Sequence, residues 1–254
     1  PPKQLFLGVD GGGSHTRVVL ADEGGCELAR ATGPATNPYT VGFDRACLNL
    51  RRTVETVLKQ NRQGGRKDLN QADIATVASP CTAAFFAIAG LKTREDKHRL
   101  RACLETEKWA KRFGVGDDAH GAWAGALGGK SGLVILCGTG SKVYGVTAKN
   151  RVIEVGGYGY LLGDEGSGTW MGLSALRRVV QAEQGRSQST LLTRLILEHL
   201  QLSTVPDLVN WTYAKRRSSR DFAGLFPFVA EAARQGDVAA TEIIEGAARE
   251  LAGL

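Results

Sequence analysis

No stretch narrows the possible folds more than Leu5 to Leu20, which reads LFLGVDGGGSHTRVVL. An apolar run leads in, then Asp10 and the glycines Gly11, Gly12 and Gly13 interrupt it. Ser14, His15 and Thr16 follow, and an apolar run resumes at Val18. The β-branched residues after the loop predict a returning strand rather than a helix. The loop is longer than the two-residue turns that close most hairpins. Its glycines permit positive φ and let backbone N–H groups come close to an anion. It is not a Walker A loop, since no lysine follows the glycines, and it is not GxGxxG. Alone, it could be a hairpin with a glycine turn and nothing more.

The pattern recurs. Leu133–Cys137 leads into Gly138-Thr139-Gly140-Ser141, and Lys142–Val146 leads away. Two strand–loop–strand units, each opening about half of the chain, predict a duplicated domain with both loops facing one cleft. There, backbone donors would cradle a polyphosphate from two sides. Gly128-Gly129-Lys130-Ser131-Gly132 is the expected boundary, giving domains at 1–128 and 129–254.

A chain of 254 residues can bury a full core, and an apolar fraction of 43% with four tryptophans is that of a folded protein. No apolar run reaches the ~20 residues of a membrane span, and the N-terminus has no signal-peptide pattern, which leaves the cytoplasm as the expected compartment. The net charge of +6 raises nucleic acid as a partner. Lysine and arginine are scattered, however, and the densest cluster, Lys215-Arg216-Arg217, is short. A solvated surface that attracts phosphorylated ligands is the better reading, with neither nucleic acid nor membrane as partner. Cys26, Cys47, Cys81, Cys103 and Cys137 are odd in number and lack paired spacing. They read as reduced thiols, Cys137 as a buried strand residue.

Strands are expected near 4–10, 16–22 and 26–32, and apolar spacing from Phe43 predicts an amphipathic helix to Arg62, closed by Gly64-Gly65. The Ala-rich stretch 74–90 predicts an irregular lead-in and a strand near 85–89. A helix over 93–108, a strand at 112–115 and a helix over 119–127 complete the first half. The second half predicts strands at 133–138, 142–147 and 151–155, then helices near 167–184, 189–200, 221–235 and 237–252.

The two hairpins resemble the phosphate 1 and phosphate 2 loops of the actin–Hsp70–sugar kinase superfamily. Four segments narrow the resemblance to the N-acetylglucosamine kinase branch, in the group that also holds the BadF/BcrA-type ATPases. They are Asp10–Thr16, Thr36-Asn37-Pro38, Gly138–Ser141, and Gly156-Gly157-Tyr158-Gly159 continuing to Gly163-Asp164-Glu165-Gly166-Ser167. The resemblance runs from Gly8 to about Ala252. It implies an α/β fold of duplicated actin-like ATPase (ribonuclease H-like) domains with a nucleotide and sugar cleft between them. It also implies ATP and Mg²⁺ as cofactors and an amino sugar as acceptor, with a homodimer left open. Relatives continue past a helix like 237–252 into a strand, a Gly-Gly turn against adenosine and a last helix. Those are absent from this stretch, so weakened nucleotide affinity is expected.

Phosphoryl transfer is mostly positioning and charge neutralisation, so its parts should be backbone N–H groups, hydroxyls and carboxylates. Gly11–Thr16 and Gly138–Ser141 would supply donors to the phosphates. Asp10 would orient hydrated Mg²⁺, which takes one or two carboxylates plus phosphate oxygens; the plain alternative is an Asp capping its own turn. Spacing alone makes Asp117 or Asp118 a helix N-cap. In relatives, an Asp followed by small residues here is the general base, and Asp118-Ala119-His120-Gly121 fits that frame, with Asp117 as its neighbour. His120 reads as a helix-surface residue, and His15 as a minor phosphate contact. Asn37, Asp164 and Glu165 are the sugar candidates, because hexose hydroxyls suit planar bifunctional partners. Gly156, Gly157 and Tyr158 would bring main chain and one ring against the pyranose.

The leading expectation is transfer of the ATP γ-phosphoryl group to the 6-hydroxyl of N-acetylglucosamine. The alternatives are glucosamine or another hexose as acceptor, an ATPase activator holding an iron–sulfur cluster, and a sugar-binding regulator without catalysis.

Overall fold

Alternating burial along the first hairpin sets the architecture. In β1 (Leu5–Gly11), Leu7, Val9 and Gly11 face inward while Phe6, Gly8 and Asp10 are exposed. In β2 (His15–Asp22), Thr16, Val18 and Leu20 face inward. That period of two is what a sheet with one covered face requires. The structure, a computed structural model, describes residues 4–64, 81–91, 93–214 and 217–254. It divides into two units, Pro1–Gly129 and Lys130–Leu254.

In the first unit β2 also pairs antiparallel with β3 (Glu27–Pro34). On its other side β1 runs parallel to β4 (Ala83–Ile88), which runs parallel to β5 (Phe113–Gly116). The strand order is β3-β2-β1-β4-β5. Among the described residues four helices accompany the sheet: α1 (Pro38–Val41), α2 (Phe43–Gly64), α3 (Arg94–Glu105) and α4 (Asp118–Leu127). Helix α2 buries Leu50, Val54 and Val57 completely against a cluster that includes Val18, Leu20 and Phe86. Each such side chain contributes about 1.5–3 kcal/mol relative to an exposed one. Helix α3 starts at a capping box between Thr93 and Asp96. It ends short of the expected residue 108, because Lys108 takes a left-handed backbone with φ 51°, which a helix interior does not tolerate.

In the second unit β6 (Gly132–Cys137), β7 (Ser141–Val146) and β8 (Val152–Gly156) form an antiparallel sheet in that order. Helices α5 (Gly168–Glu183), α6 (Leu191–Leu200), α7 (Val205–Tyr213), α8 (Ser219–Ala223), α9 (Phe226–Arg234) and α10 (Val238–Gly253) follow. They build a core of their own around Ala175, Val179, Leu192, Ile196, Val229 and Ala240.

Two helices depart from expectation. The helix expected over 221–235 is split into α8 and α9. Gly224 ends the first, and Pro227 lies in the first turn of the second, where its missing N–H is tolerated. Helix α7 was not expected, although Thr204 and Asp207 form a capping box around it and Pro206 sits in its first turn.

The cysteines are also corrected. Cys47 on α2 and Cys103 on α3 form a disulfide, with their Cα atoms 6.4 Å apart, so they are not reduced thiols. Sequence spacing could not show this, because two helices separated by 56 residues bring the pair together. Cys137 is exposed rather than buried, since it ends β6 on the exposed side of that strand's alternation. Residues 74–80, Gly65 and Lys215-Arg216 lie outside the described residues. Arg217 lies over the Trp211 ring at 4.2 Å and donates to the Trp211 carbonyl. Among the described residues no helix is long and apolar enough to cross a membrane.

Candidate functional site

The first glycine loop joins Gly11 to Thr16, which face each other across the β1–β2 ladder. None of Gly11, Gly12 and Gly13 has positive φ, so conformational freedom is not why they are glycine. Close approach is. A Cβ on Gly11 would lie 2.2 Å from Thr36 Oγ1 and 2.4 Å from Ile88 Cδ1. On Gly13 it would meet Thr40 Oγ1 at 3.3 Å. The N–H of Gly12 donates to the His15 carbonyl at 2.9 Å, which closes the loop on itself. Its carbonyl accepts from Thr36 and Asn37, at 3.0 and 3.1 Å. Thr16 and Thr36, both fully buried, share a hydroxyl hydrogen bond of 2.8 Å. Ser14 and His15 are exposed at the turn.

Asn37 thus sits against the first loop. It caps α1, accepting from the Tyr39 N–H at 2.9 Å. The turn after β4 presses on it: Gly90 has φ 88°, and a Cβ there would lie 2.4 Å from Asn37 Oδ1. Asp10 is exposed at the end of β1, with Arg17 Nη1 3.9 Å from its carboxylate. So open a pair is weak. In the ladder Asp10 is opposite Ala87, and Ala87 is opposite Gly116. The carboxyl ends of β1, β4 and β5 therefore form one row, the edge where ligands of open α/β sheets bind. Asp118 stands two residues beyond Gly116, exposed at the first position of α4. Its neighbour Asp117 is buried and is the N-cap, accepting from the His120 N–H at 2.9 Å. His120 is half-buried rather than freely exposed on the helix surface. Its ring packs on Phe85 and Trp123, with centroids 4.7 and 5.7 Å away.

The second loop is held by the start of α5. The Gly138 carbonyl accepts from Gly168 at 2.8 Å, and the Thr139 carbonyl accepts from the Thr169 hydroxyl at 2.6 Å. Again no glycine of the loop has positive φ. A Cβ on Gly140 would lie 2.8 Å from the Asp164 carboxylate, whose Oδ1 accepts from the Ser141 N–H at 3.3 Å. The Ser141 hydroxyl donates to the Glu165 carbonyl at 2.6 Å. Two segments read separately in the sequence are one structure here. Asp164 holds φ 59°, a backbone position that Asp tolerates better than most side chains. Ser167 caps α5, accepting from the Trp170 N–H.

Positive φ does explain Gly156, Gly157, Gly159 and Gly166. A pocket of about 340 Å³ gathers Gly156, Tyr158 and Glu165 with Gly163 and Leu254. Tyr158 is largely exposed. Thr36, Gly90, Thr40 and Thr169 are the structural partners that sequence reading did not single out as site residues. The Thr-Asn-Pro triplet was the one available signal, for Thr36.

Asp10 is an accessible carboxylate beside the first glycine loop, the kind of donor that Mg²⁺ takes together with waters and phosphate oxygens. Asp10 is the residue that would hold it.

A model of the BadF/BadG/BcrA/BcrD ATPase family matches residues 7–254. An N-acetyl-D-glucosamine kinase of Dictyostelium discoideum is 35% identical over 253 residues, which cover 98% of this chain and 77% of that protein. An N-acetylmuramic acid/N-acetylglucosamine kinase of Clostridium acetobutylicum is 29% identical over 248 residues, with the same two coverages of 98% and 77%. Among solved structures, a candidate N-acetylglucosamine kinase of Chromobacterium violaceum is 27% identical, with a TM-score of 0.78 over 100% of this chain and 82% of that one. The fold is the two-domain, actin-like α/β fold implied by the sequence.

Proposed function

The chain belongs to the BadF/BadG/BcrA/BcrD ATPase family, and on that premise we propose that it is an ATP-dependent amino-sugar kinase. Its acceptor is N-acetylglucosamine, phosphorylated at the 6-hydroxyl to give the 6-phosphate and ADP. One observation carries this: 35% identity to an N-acetyl-D-glucosamine kinase, spread over 98% of the chain rather than confined to the phosphate loops.

The residues take roles that their positions support. Backbone donors at the tip of the first loop and in Gly138–Ser141 bind phosphate oxygens without side-chain bulk. Asp10 holds Mg²⁺, which when bound offsets the charge of the phosphates. Asn37 binds a sugar hydroxyl, and its amide is fixed by the Tyr39 N–H and by contact with Gly90. Glu165, Tyr158 and Gly156 line the second sugar-binding element, with Gly157 next in the chain and Asp164 bracing the adjacent loop. Asp118 accepts the proton of the 6-hydroxyl as the oxygen–phosphorus bond forms and the bond to ADP breaks. In a loose transition state that proton leaves late, so the carboxylate mainly positions the oxygen. The reading retains the cytoplasm as compartment and a homodimer as assembly, the second of which light scattering would test.

Glucosamine and N-acetylmuramic acid are the competing acceptors, the second because a relative is named for it. Coupled ADP release across these three sugars, with and without Mg²⁺, tests the proposal. Release that requires both sugar and Mg²⁺ and is fastest with N-acetylglucosamine is expected. Release indifferent to sugar removes the kinase reading.

A further inference from the structure

Helix α1 is four residues long, yet it touches three parts of the first unit. Its N-cap is Asn37, Thr40 lies on Gly13 of the glycine loop, and the Tyr39 hydroxyl reaches across to α3. So short a helix cannot hold its own shape in water. Its backbone bonds run only from Thr40, Val41 and Gly42 back to Asn37 and Pro38. Something outside it must fix its position. The Tyr39 ring is largely exposed, but its hydroxyl end is partly buried, 3.2 and 3.3 Å from the two carboxylate oxygens of Asp96. Asp96 is buried and is itself fixed, because its carboxylate accepts from the Thr93 N–H at 2.9 Å in the capping box of α3. Burial and the adjacent Asp96 carboxylate raise the Tyr39 phenol above its ordinary value.

We propose that Tyr39 is a positioning residue for the acceptor. Its hydroxyl latches α1 to Asp96 and so holds the Asn37 amide at the orientation that binds the sugar. The idea rests on the amino-sugar kinase reading and on Asn37 contacting the acceptor. The latch acts chiefly through the Asn37 side chain, so its loss should appear in sugar KM far more than in kcat or ATP KM.

The test is Tyr39→Phe, which keeps the ring and removes the hydroxyl. Losing one hydrogen bond to a charged group predicts a rise of roughly three- to tenfold in KM for N-acetylglucosamine. Amide hydrogen exchange should quicken at Thr40, Val41 and Gly42, while exchange along α2 stays as it is. A second variant, Asp96→Asn, removes the charge but can still cap α3, and it should reproduce the KM change in part. A wild-type protein that phosphorylates no sugar overturns the kinase reading and this role with it. An active wild type whose Tyr39→Phe variant keeps its sugar KM, or loses kcat instead, overturns the latch alone.

Discussion

The loop at Gly11–Ser14 is held by the segment that follows its own three-stranded meander, and the loop at Gly138–Ser141 by the helix that follows its own. In the first case Thr36 and Asn37 donate to the Gly12 carbonyl, and Thr36 packs where a side chain on Gly11 would be. In the second, Gly168 and Thr169 donate to the loop carbonyls, and Asp164 accepts from Ser141. The hairpins also sit in different sheets. β1 has a strand on each side, whereas β6 pairs only with β7 among the described residues. The register puts Leu133, Ile135, Ile153 and Val155 on one exposed face of the second sheet. A repeated hairpin can therefore keep its form while the material that braces it changes. The first brace carries the sugar candidate Asn37, and the second carries the sugar candidates Asp164 and Glu165 together with the start of a helix.

The sharpest break in the comparison concerns the proton, since only the first unit is assigned a base. Asp118→Asn should lower kcat by roughly 10²–10⁴-fold with little change in either KM, as steady-state kinetics would show. Asp117→Asn should leave turnover near wild type, because asparagine caps a helix as well as aspartate does. Reversed phenotypes would move the base by one residue.

The glycines separate the hairpins next. Gly11→Ala forces a methyl into Thr36 and Ile88, both buried, and overpacking of that kind costs about 1–3 kcal/mol. Gly138 has nothing within 4 Å of the same position, so Gly138→Ala should stay within ~0.5 kcal/mol of wild type. Urea titration of both variants is the check, and equal costs would mean that the two loops are packed alike after all.

A comparable or slightly smaller effect is expected at Thr169, which is fully buried, with its hydroxyl 2.6 Å from the Thr139 carbonyl and 2.9 Å from the Ser219 carbonyl. Thr169→Val should cost about 1–2 kcal/mol. Thr36→Val should cost less, since Thr16 can still donate to the Pro34 carbonyl. The smallest effect is a pH dependence at α8. Hydrogen bonds from the Ser218 backbone and hydroxyl hold the Asp221 carboxyl below its ordinary value. A carboxyl lowered on folding contributes stability that is present above its unfolded pKa of about 3.9 and lost as pH falls through the folded value. Asp221→Asn should flatten the acid limb of the thermal-melting profile slightly, by lowering the melting temperature a little at neutral pH while leaving the acid end nearly unchanged.

Much of this was legible because hairpins declare themselves locally. The apolar runs that end at Val9 and Cys137 are strands β1 and β6, as their composition predicts. Helix α2 followed from its apolar spacing and Asp44 in its first turn. What stayed hidden depends on contacts distant in sequence. Nothing near Gly11 announces Thr36, and nothing near Gly140 announces Asp164. The Cys47–Cys103 bond joins two helices by their packing. Gly90 looked like the end of a strand, and only its contact with Asn37 relates it to the acceptor position. Helix α7 was missed because its signal is a capping box and a proline, with little apolar period over nine residues.

The central claim is transfer of a phosphoryl group to a sugar rather than to water, and phosphorus NMR of the reaction mixture tests it most directly. With ATP, Mg²⁺ and N-acetylglucosamine, the account predicts a new phosphomonoester coupled to the two protons on carbon 6, growing in step with ADP. Inorganic phosphate appearing in its place, at a rate unchanged by the sugar, would contradict it.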